Sequence, residues 1–475
     1  MPINAKLKAV STDDLGRIHE STLDALQKTG VLFHSDEAVE IFKKHGAKID
    51  DHVVRISRRM LEKAIETAPE SFTWHARNPE ASIDVGGDQV RTHVMLDHGP
   101  VFIQDIENGR RQGKMADLVN LYKLGQASPV ADVIGQIPVN PGDVTGQGKS
   151  LQILYQLLKN VDKPLIAWPE THDNIRKMFE MVEIVLDSPG YLRQHPFIGV
   201  GVCPLSPMQF APESCDTILA YARNAQPISI LTCAMTGVTA PISLVTTAIQ
   251  QNAEVLAGIV LAQLVNPGTP VLYCPASAVP NMKTASYITG SPESNLINLI
   301  GLQLADDMYH LPTRTMAGLT DAKVVDCQAG YETMQNLFIL MMAGTHMINE
   351  CMGTLNSIMT VSYEKFIIDE EMISRMLRIM DGINPVAADF NVDIIHDIGH
   401  SGSFLMHPTT LKNCRSGWTP AVSHWDSFET WQKEGGEDVL VRANRQYKKV
   451  LSKCPDALLD KARDRALSEY IKSHC

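Results

Sequence analysis

Residues 312–353 read PTRTMAGLTDAKVVDCQAGYETMQNLFILMMAGTHMINECMG. The first residues form a short strand carrying Arg314, followed by a polar loop, an apolar stretch at helical spacing, and a second short strand carrying Glu350. Strand, loop, helix and strand in that order make the repeating unit of a parallel α/β protein. Loops that leave strand C-termini are where α/β barrels keep their chemistry. Here that loop holds Thr320, Asp321, Lys323, Asp326 and Gln328 between two apolar elements.

The same alternation runs outward through the chain. Expected strands are 130–139, 164–168, 197–203, 228–233, 271–274, 314–318 and 347–353. Helices are expected between them at 115–126, 149–159, 173–187, 212–224, 241–264, 292–309 and 329–343. Serial βα units at this spacing predict a TIM (β/α)8 barrel over 95–406. A doubly wound sheet is the alternative, but no GxGxxG follows a first strand. Thr239-Ala240-Pro241 and Ser291-Pro292 are expected helix starts, each an N-cap followed by proline.

Residues 1–94 read differently, as an α+β cap. Helices are expected over 15–29, 36–45 and 58–68, the first two followed by Gly30 and Gly46, and strand pieces at 72–76, 82–85 and 90–97. Residues 407–475 read as a charged helical extension that wraps the outside or meets another subunit, and a homo-oligomer is expected.

Composition narrows the function classes. The chain has 475 residues, 44% hydrophobic and 20% charged, with a net charge of −12. Phosphate backbones require a basic face, so nucleic acid is not an expected partner. The nine cysteines form no CxxC pair, which predicts a reducing, cytoplasmic setting without disulfides. The N-terminus has no apolar signal-like core. The most apolar stretch, 243–265, carries Gln250, Gln251, Asn252, Glu254 and Gln263, which predicts a buried helix and no membrane span.

No GxSxG, P-loop or HExxH motif occurs. Asp393, His396, Asp397 and His400 come nearest to a metal cluster, and a polar helix end is the more economical reading, so no metal is expected. Arg314 suits a carboxylate or phosphate at a barrel mouth, or an internal salt bridge with Asp321 or Asp326. Glu350, in an apolar strand, needs an arginine-like partner or a cation. Asp97 and His98 sit at a Gly-Pro turn and belong either to the site or to the turn. Trp168, Phe210, Tyr273, Tyr363 and Phe404 lie near strand exits, where an aromatic face can hold a quaternary ammonium, although core packing is the commoner use.

Ordered blocks over most of the chain carry a resemblance. They include DIENGRRQGKMADL (105–118), IPVNPGDV (137–144), LLKNVDKPLI (157–166), VCPLSP (202–207) and GVTAPISL (237–244). They continue with QNAEVLAGIVLAQLVNPGTPVLY (251–273), LPTRTMAGLTDAKVVDCQAGYE (311–332), SYEKFIIDEE (362–371), SGSFLMHPTTLKNCRSGW (401–418) and FETWQKEGG (428–436). In these residues the chain resembles the trimethylamine methyltransferase family, and, having no pyrrolysine, its branch that acts on quaternary amines such as glycine betaine. The resemblance implies a TIM barrel that passes a methyl group to the Co(I) corrinoid (cobalamin) of a separate protein, with no cofactor bound permanently. A quaternary nitrogen leaves as a neutral amine, so orientation and exclusion of water are the protein's main tasks.

On this resemblance Arg314 engages a substrate carboxylate. Glu350, where relatives often carry histidine, leaves glycine betaine, carnitine, γ-butyrobetaine and proline betaine open. Asp97, His98, Asp321, Tyr363 and Phe404 are the expected substrate-binding companions. A different methyl acceptor on the same barrel, or a non-catalytic betaine-binding subunit, are the competing expectations.

Overall fold

The computed structural model describes residues 6–88, 91–146 and 148–474. Val90, where the expected strand 90–97 begins, and the first five residues of the N-terminal segment lie outside them.

The N-terminal helices span Thr12–Lys28, Asp36–Lys44 and Arg58–Thr67. Each starts at a serine, Ser11, Ser35 or Ser57, whose hydroxyl accepts a first-turn N–H. Such a cap stabilises by about 1 kcal/mol. Gly30 and Gly46 follow the first two helices with φ of 76° and 85°, so the sequence signals for both stops hold. Val31–Phe33 pairs antiparallel with Val53–Arg55 and parallel with Gln209–Phe210. Phe33 stacks on Phe210 at 5.0 Å between ring centroids, which joins this region to the α/β body.

Eight short parallel strands follow: β1 His93–Val94, β2 Ile134–Gly135, β3 Leu165–Ala167, β4 Ile198–Val202, β5 Ile228–Thr232, β6 Val271–Pro275, β7 Arg314–Met316 and β8 Met347–Asn349. β2 through β6 make one five-stranded sheet in chain order. β7, β8 and β1 make a second. Single parallel bridges, Tyr273 to Thr313 and Met95 to Val133, join the two sheets at both edges. The fold is therefore mixed α/β, and each of the eight strands has a parallel neighbour on both sides.

Helices α1 Met115–Ala127, α2 Lys149–Asn160, α3 His172–Leu186, α4 Pro212–Arg223, α5 Leu244–Val265, α6 Pro292–Leu304, α7 Cys327–Met342 and α8 Tyr363–Met380 follow the strands in turn. Two starts differ from expectation. Ser243 caps α5, while the Thr239 hydroxyl accepts from Met235 N–H in the preceding turn. Asp326 caps α7 by accepting from Ala329 N–H at 3.1 Å.

α5 is long and apolar enough to cross a membrane, yet 72% of that stretch is buried inside the protein. Its polar residues have buried partners, as the sequence required. Asn252 donates to Tyr309 Oη and accepts from Tyr273 Oη, and Glu254 accepts from Met208 N–H and the Ser206 hydroxyl.

One apolar cluster joins Met95, Val133, Ile166, Leu272 and Met347, on or beside these strands, with Trp74. Trp74 comes from a hairpin of Ser71–Trp74 and Ile83–Gly86, and its indole N–H donates to Phe197 O. C-terminal helices Val439–Leu451 and Lys461–His474 lie on the outer layer. Tyr447 stacks on Tyr363 at 4.9 Å, and Asp464 accepts from Tyr155 Oη at 2.6 Å, so this part of the extension wraps the body. The boundary drawn at 406/407 falls inside a stretch, 381–417, in which no residue is buried.

Candidate active site

Polar side chains gather where the strands end. Asp97 and His98 follow β1, Gln136 follows β2, Cys203 follows β4, Cys233 follows β5 and Glu350 follows β8. These positions are far apart in sequence and adjoin one another because parallel strands bring all their C-termini to one side. Gln136 and Glu350 turn away from their strands with φ of 52° and 53°. A left-handed backbone is costly for side chains of this size and clusters at functional sites.

Arg314 opens β7, is 1% exposed, and reaches up the inner face. Its Nε donates to Asn349 Oδ1 at 3.0 Å. Its Nη1 is buried and has no hydrogen-bond partner among the described residues. Gly201 on β4 makes the space for it, since a Cβ there would stand 3.1 Å from Nη1 and 3.3 Å from Gln136 Nε2. Buried guanidinium groups are normally paired. Among the described residues no carboxylate lies within ion-pair distance of Arg314, so the salt bridge to Asp321 or Asp326 does not form.

Glu350 likewise does not pair with Arg314. Its Oε1 accepts from His98 N–H at 2.9 Å, and its buried Oε2 has no partner among the described residues. Burial pushes its carboxyl well above the usual range, and the Asp97 carboxylate adds to the rise. Burial and Asp97 both favour the protonated form, and with Oε1 accepting from a backbone N–H that proton belongs on Oε2.

Asp97 accepts from Met352 N–H at 3.2 Å and from the Thr354 hydroxyl. Burial pushes its carboxyl up to about 7, against those two hydrogen bonds. His98 Nδ1 accepts from Ile137 N–H at 3.2 Å, which leaves the ring proton on Nε2. Burial pulls His98 down to about 4, and the Arg314 guanidinium pulls the same way.

These shifts have a measurable sign. Between about 4 and 7 the folded chain holds a proton on Asp97 that the unfolded chain releases, so stability falls as pH rises. Glu350 acts in the same direction. Between about 4 and 6.5 the unfolded chain holds a proton that folded His98 lacks, so that term rises with pH. Asp97→Asn removes one falling term, worth about 1.4 kcal/mol per pH unit. Urea unfolding from pH 4.5 to 7 is expected to show a shallower decline in the variant. Parallel profiles would place Asp97 outside this titration.

Sulfur lines the same mouth. Cys203 and Cys233 lie beside each other, and Cys233 lies near the Tyr287 hydroxyl, which donates to Ala276 O. Cys203 keeps exposed surface and lies beside Arg314. Sequence analysis passed over Gln136, Cys203, Cys233, Asn349 and Tyr287 as site residues. The strand-end position of the first three was the available signal. Tyr287 stands on a separate hairpin, Val279–Asn281 with Ser286–Ile288.

The other expected site residues have partners or surroundings of their own. Asp321 accepts from Thr289 and Gly290 N–H and from the Ser357 hydroxyl, tying together the loops after β6, β7 and β8. Lys323 donates to Asp321 O, and Asp326 is a helix cap. Tyr363 stacks on Tyr447 and donates to Asp117 at 2.9 Å, in the outer helix layer. Phe404 stands 44% exposed in the stretch 381–417. Phe210 and Tyr273 are core residues, as the burial preference of aromatics implied. Among the described residues no group of three His, Cys, Asp or Glu side chains could hold a metal ion, and Asp393, His396, Asp397 and His400 lie on or beside the exposed helix Asp393–Ile398.

The chain is 34% identical over 467 residues to a glycine betaine methyltransferase of Desulfitobacterium hafniense (strain Y51), covering 98% of this chain and 97% of the relative. It is 33% identical over 459 residues to an L-carnitine:corrinoid methyltransferase of Eubacterium limosum, covering 92% and 91%. The crystal structure of the Methanosarcina barkeri monomethylamine methyltransferase superposes with a TM-score of 0.52 over 94% of this chain and 89% of that one, at 11% identity. The family model described as trimethylamine methyltransferase (MTTB) matches residues 2–474, and the chain belongs to that family.

Proposed function

We propose that this chain is a methyltransferase that moves a methyl group from a betaine-type quaternary amine to the corrinoid of a separate protein. The observation that carries the reading is Arg314, a buried guanidinium whose Nη1 has no partner at the convergent strand ends. A carboxylate ligand would complete it with a charge-assisted hydrogen bond. The near-full-length likeness to glycine betaine and carnitine enzymes supports a zwitterion that carries such a carboxylate. Glycine betaine, carnitine, γ-butyrobetaine and proline betaine all meet that requirement.

The paired strand edges support closure of the eight strands into a (β/α)8 barrel, with the site at its C-terminal mouth. The corrinoid of the partner protein supplies the nucleophile that accepts the methyl group. This chain's residues bind and orient. Arg314 anchors the carboxylate end. Gln136 Oε1, buried without a partner among the described residues, offers an acceptor beside it. Glu350, held toward its protonated form by burial and Asp97, donates from Oε2 to a substrate oxygen. Because the leaving amine is neutral, no group needs to deliver a proton to it. The described cysteines form no disulfide, which suits a reducing, cytoplasmic setting.

Glu350→Gln keeps a donor at the Oε2 position and is expected to keep the order of substrate preference. Glu350→Leu removes the donor. It should weaken carnitine relative to γ-butyrobetaine, which lacks the hydroxyl, by about 1 kcal/mol, roughly fivefold in kcat/KM. An unchanged ratio would place Glu350 out of reach of substrate. The function itself is tested by mixing the purified protein with reduced free cobalamin and each betaine, and following conversion of the Co(I) spectrum to methyl-Co(III). No methylation from any quaternary amine defeats the proposal, and binding without turnover identifies a betaine-binding subunit.

A further inference from the structure

Four of the described cysteines stand at the strand ends that hold the candidate site: Cys203 after β4, Cys233 after β5, Cys274 in β6 and Cys351 just after Glu350. Cys274 and Cys351 are buried. Burial pushes the first up to about 12 and the second well above the usual thiol range, so both stay unreactive thiols. Cys203 is exposed and Cys233 partly so, and the two lie beside each other. The fold brings them together. β4 and β5 pair in parallel, with Val202 opposite Ile230, and each cysteine directly follows the last residue of its strand. The Cys203 carbonyl accepts from the Ser214 hydroxyl at 3.1 Å, which ties its backbone to α4.

The two thiols are unequal. The neighbouring Cys233 and the Arg314 guanidinium hold Cys203 below the usual thiol range, against desolvation. Cys233 is pushed the other way, well above that range, with Cys203 the main cause and burial adding to it. A thiolate with surface access attacks an oxidant, and a thiol beside it resolves the product. With peroxide as the oxidant the chemistry balances in two steps. The Cys203 thiolate attacks one peroxide oxygen, an S–O bond forms, the O–O bond breaks, and hydroxide leaves to take up the proton that Cys203 had released. The Cys233 sulfur then attacks the Cys203 sulfenic acid, an S–S bond forms, the S–O bond breaks, and hydroxide leaves with the Cys233 proton as water. Two thiols and one peroxide become one disulfide and two waters.

We propose that Cys203 and Cys233 are a reversible modification site, a dithiol that peroxide closes to a disulfide and a thiol reductant reopens. In a reducing setting such disulfides are transient and report redox state. The bridge runs diagonally, because the β4–β5 register continued by one residue sets Leu231, not Cys233, opposite Cys203. Bridges of strained geometry are the readily reduced kind. The consequence for activity rests on the function proposed above. Cys203 lies beside Arg314, and Cys233 is within electrostatic reach of Glu350. The disulfide therefore ties together neighbours of both groups that hold the substrate's oxygens, and carboxylate binding weakens. A Co(I) acceptor survives only where oxidants are scarce, so one oxidant stops the methyl donor enzyme and its acceptor together.

The test uses the full chain, reduced and then exposed to stoichiometric hydrogen peroxide. Non-reducing peptide mapping by mass spectrometry is expected to show a Cys203–Cys233 cross-linked peptide, formed on the order of tenfold faster than any oxidation of the exposed Cys327 and Cys414. Dithiothreitol should return both thiols. Cys233→Ser removes the resolving sulfur and should leave a sulfenic acid on Cys203 that dimedone captures. By calorimetry the oxidised chain should bind glycine betaine about tenfold more weakly, recovering with dithiothreitol. Cys203→Ser should bind it equally before and after peroxide. No cross-linked peptide, a cross-link that dithiothreitol leaves intact, or a pair that reacts no faster than Cys327 and Cys414 overturns the proposal. A disulfide formed with betaine affinity unchanged supports the chemistry and overturns its effect on the site. Mapping needs no substrate, so a reduced chain that binds no betaine defeats the function proposed above while the cross-link still decides the modification site.

Discussion

Arg314→Ala is expected to lower kcat/KM for the preferred betaine about 30- to 150-fold, equivalent to about 2–3 kcal/mol of lost charge-assisted contact. The side chain is 1% exposed, and its Nε donates to Asn349. Its Nη1 waits for a ligand. Removing an unpaired buried charge relieves a desolvation cost, so the thermal midpoint should hold or rise while activity falls. That split separates a ligand anchor from a structural arginine. Arg314→Lys restores charge but cannot hold Asn349 and a carboxylate together, so recovery should be partial. An alanine variant with unchanged kinetics would remove Arg314 from the site.

Lys365→Met is expected to cost about 3–5 kcal/mol of stability, the usual penalty for leaving one half of a buried ion pair behind. Lys365 Nζ lies 2.9 and 2.7 Å from the two oxygens of Asp369 and donates to Thr333 at 3.0 Å, with both charged groups at most 1% exposed. Asp369 also accepts from Gly353 N–H, just beyond β8 and Glu350. Burial already pushes Asp369 up to about 6 against the pull of Lys365. Without the lysine it rises further, and the folded chain keeps its proton where the unfolded chain has lost it. The deficit of the variant should therefore grow as pH rises and shrink toward pH 4. Adding Asp369→Leu should recover most of the loss, because an apolar pair of similar volume carries no desolvation cost. A single-variant loss under 1 kcal/mol across that range would show that the pair is wet.

The helices were legible because their ends are written locally. Ser11, Ser35 and Ser57 begin the three N-terminal helices, and Gly30 and Gly46 follow the first two, all within a few residues of the chain they control. α5 shows the limit of such signals. Thr239 and Ser243 both satisfy the N-cap pattern, and the choice between them rested on whether Thr239 was needed by the turn at Met235. Asp321 shows the same limit for polar loops. Its carboxylate is occupied by Thr289 and Gly290 on the loop after β6 and by Ser357 on the loop after β8, contacts that no local pattern announces.

From its residues alone the chain committed to alternating strands and helices, to an acidic surface unsuited to nucleic acid, and to Arg314 and Glu350 as the groups with chemistry to explain. Periodicity, caps and the rarity of charge inside apolar strands are short-range properties, so one dimension is enough to carry them. Which strand ends meet is a long-range property. Asp97, Gln136, Cys203, Cys233 and Glu350 adjoin because the strands line up in parallel, and no local pattern says that Tyr363 faces the outer helices or that Phe404 stands on an exposed arm. The pairing of Glu350 with a backbone N–H, and the absence of any carboxylate beside Arg314 among the described residues, follow from that packing.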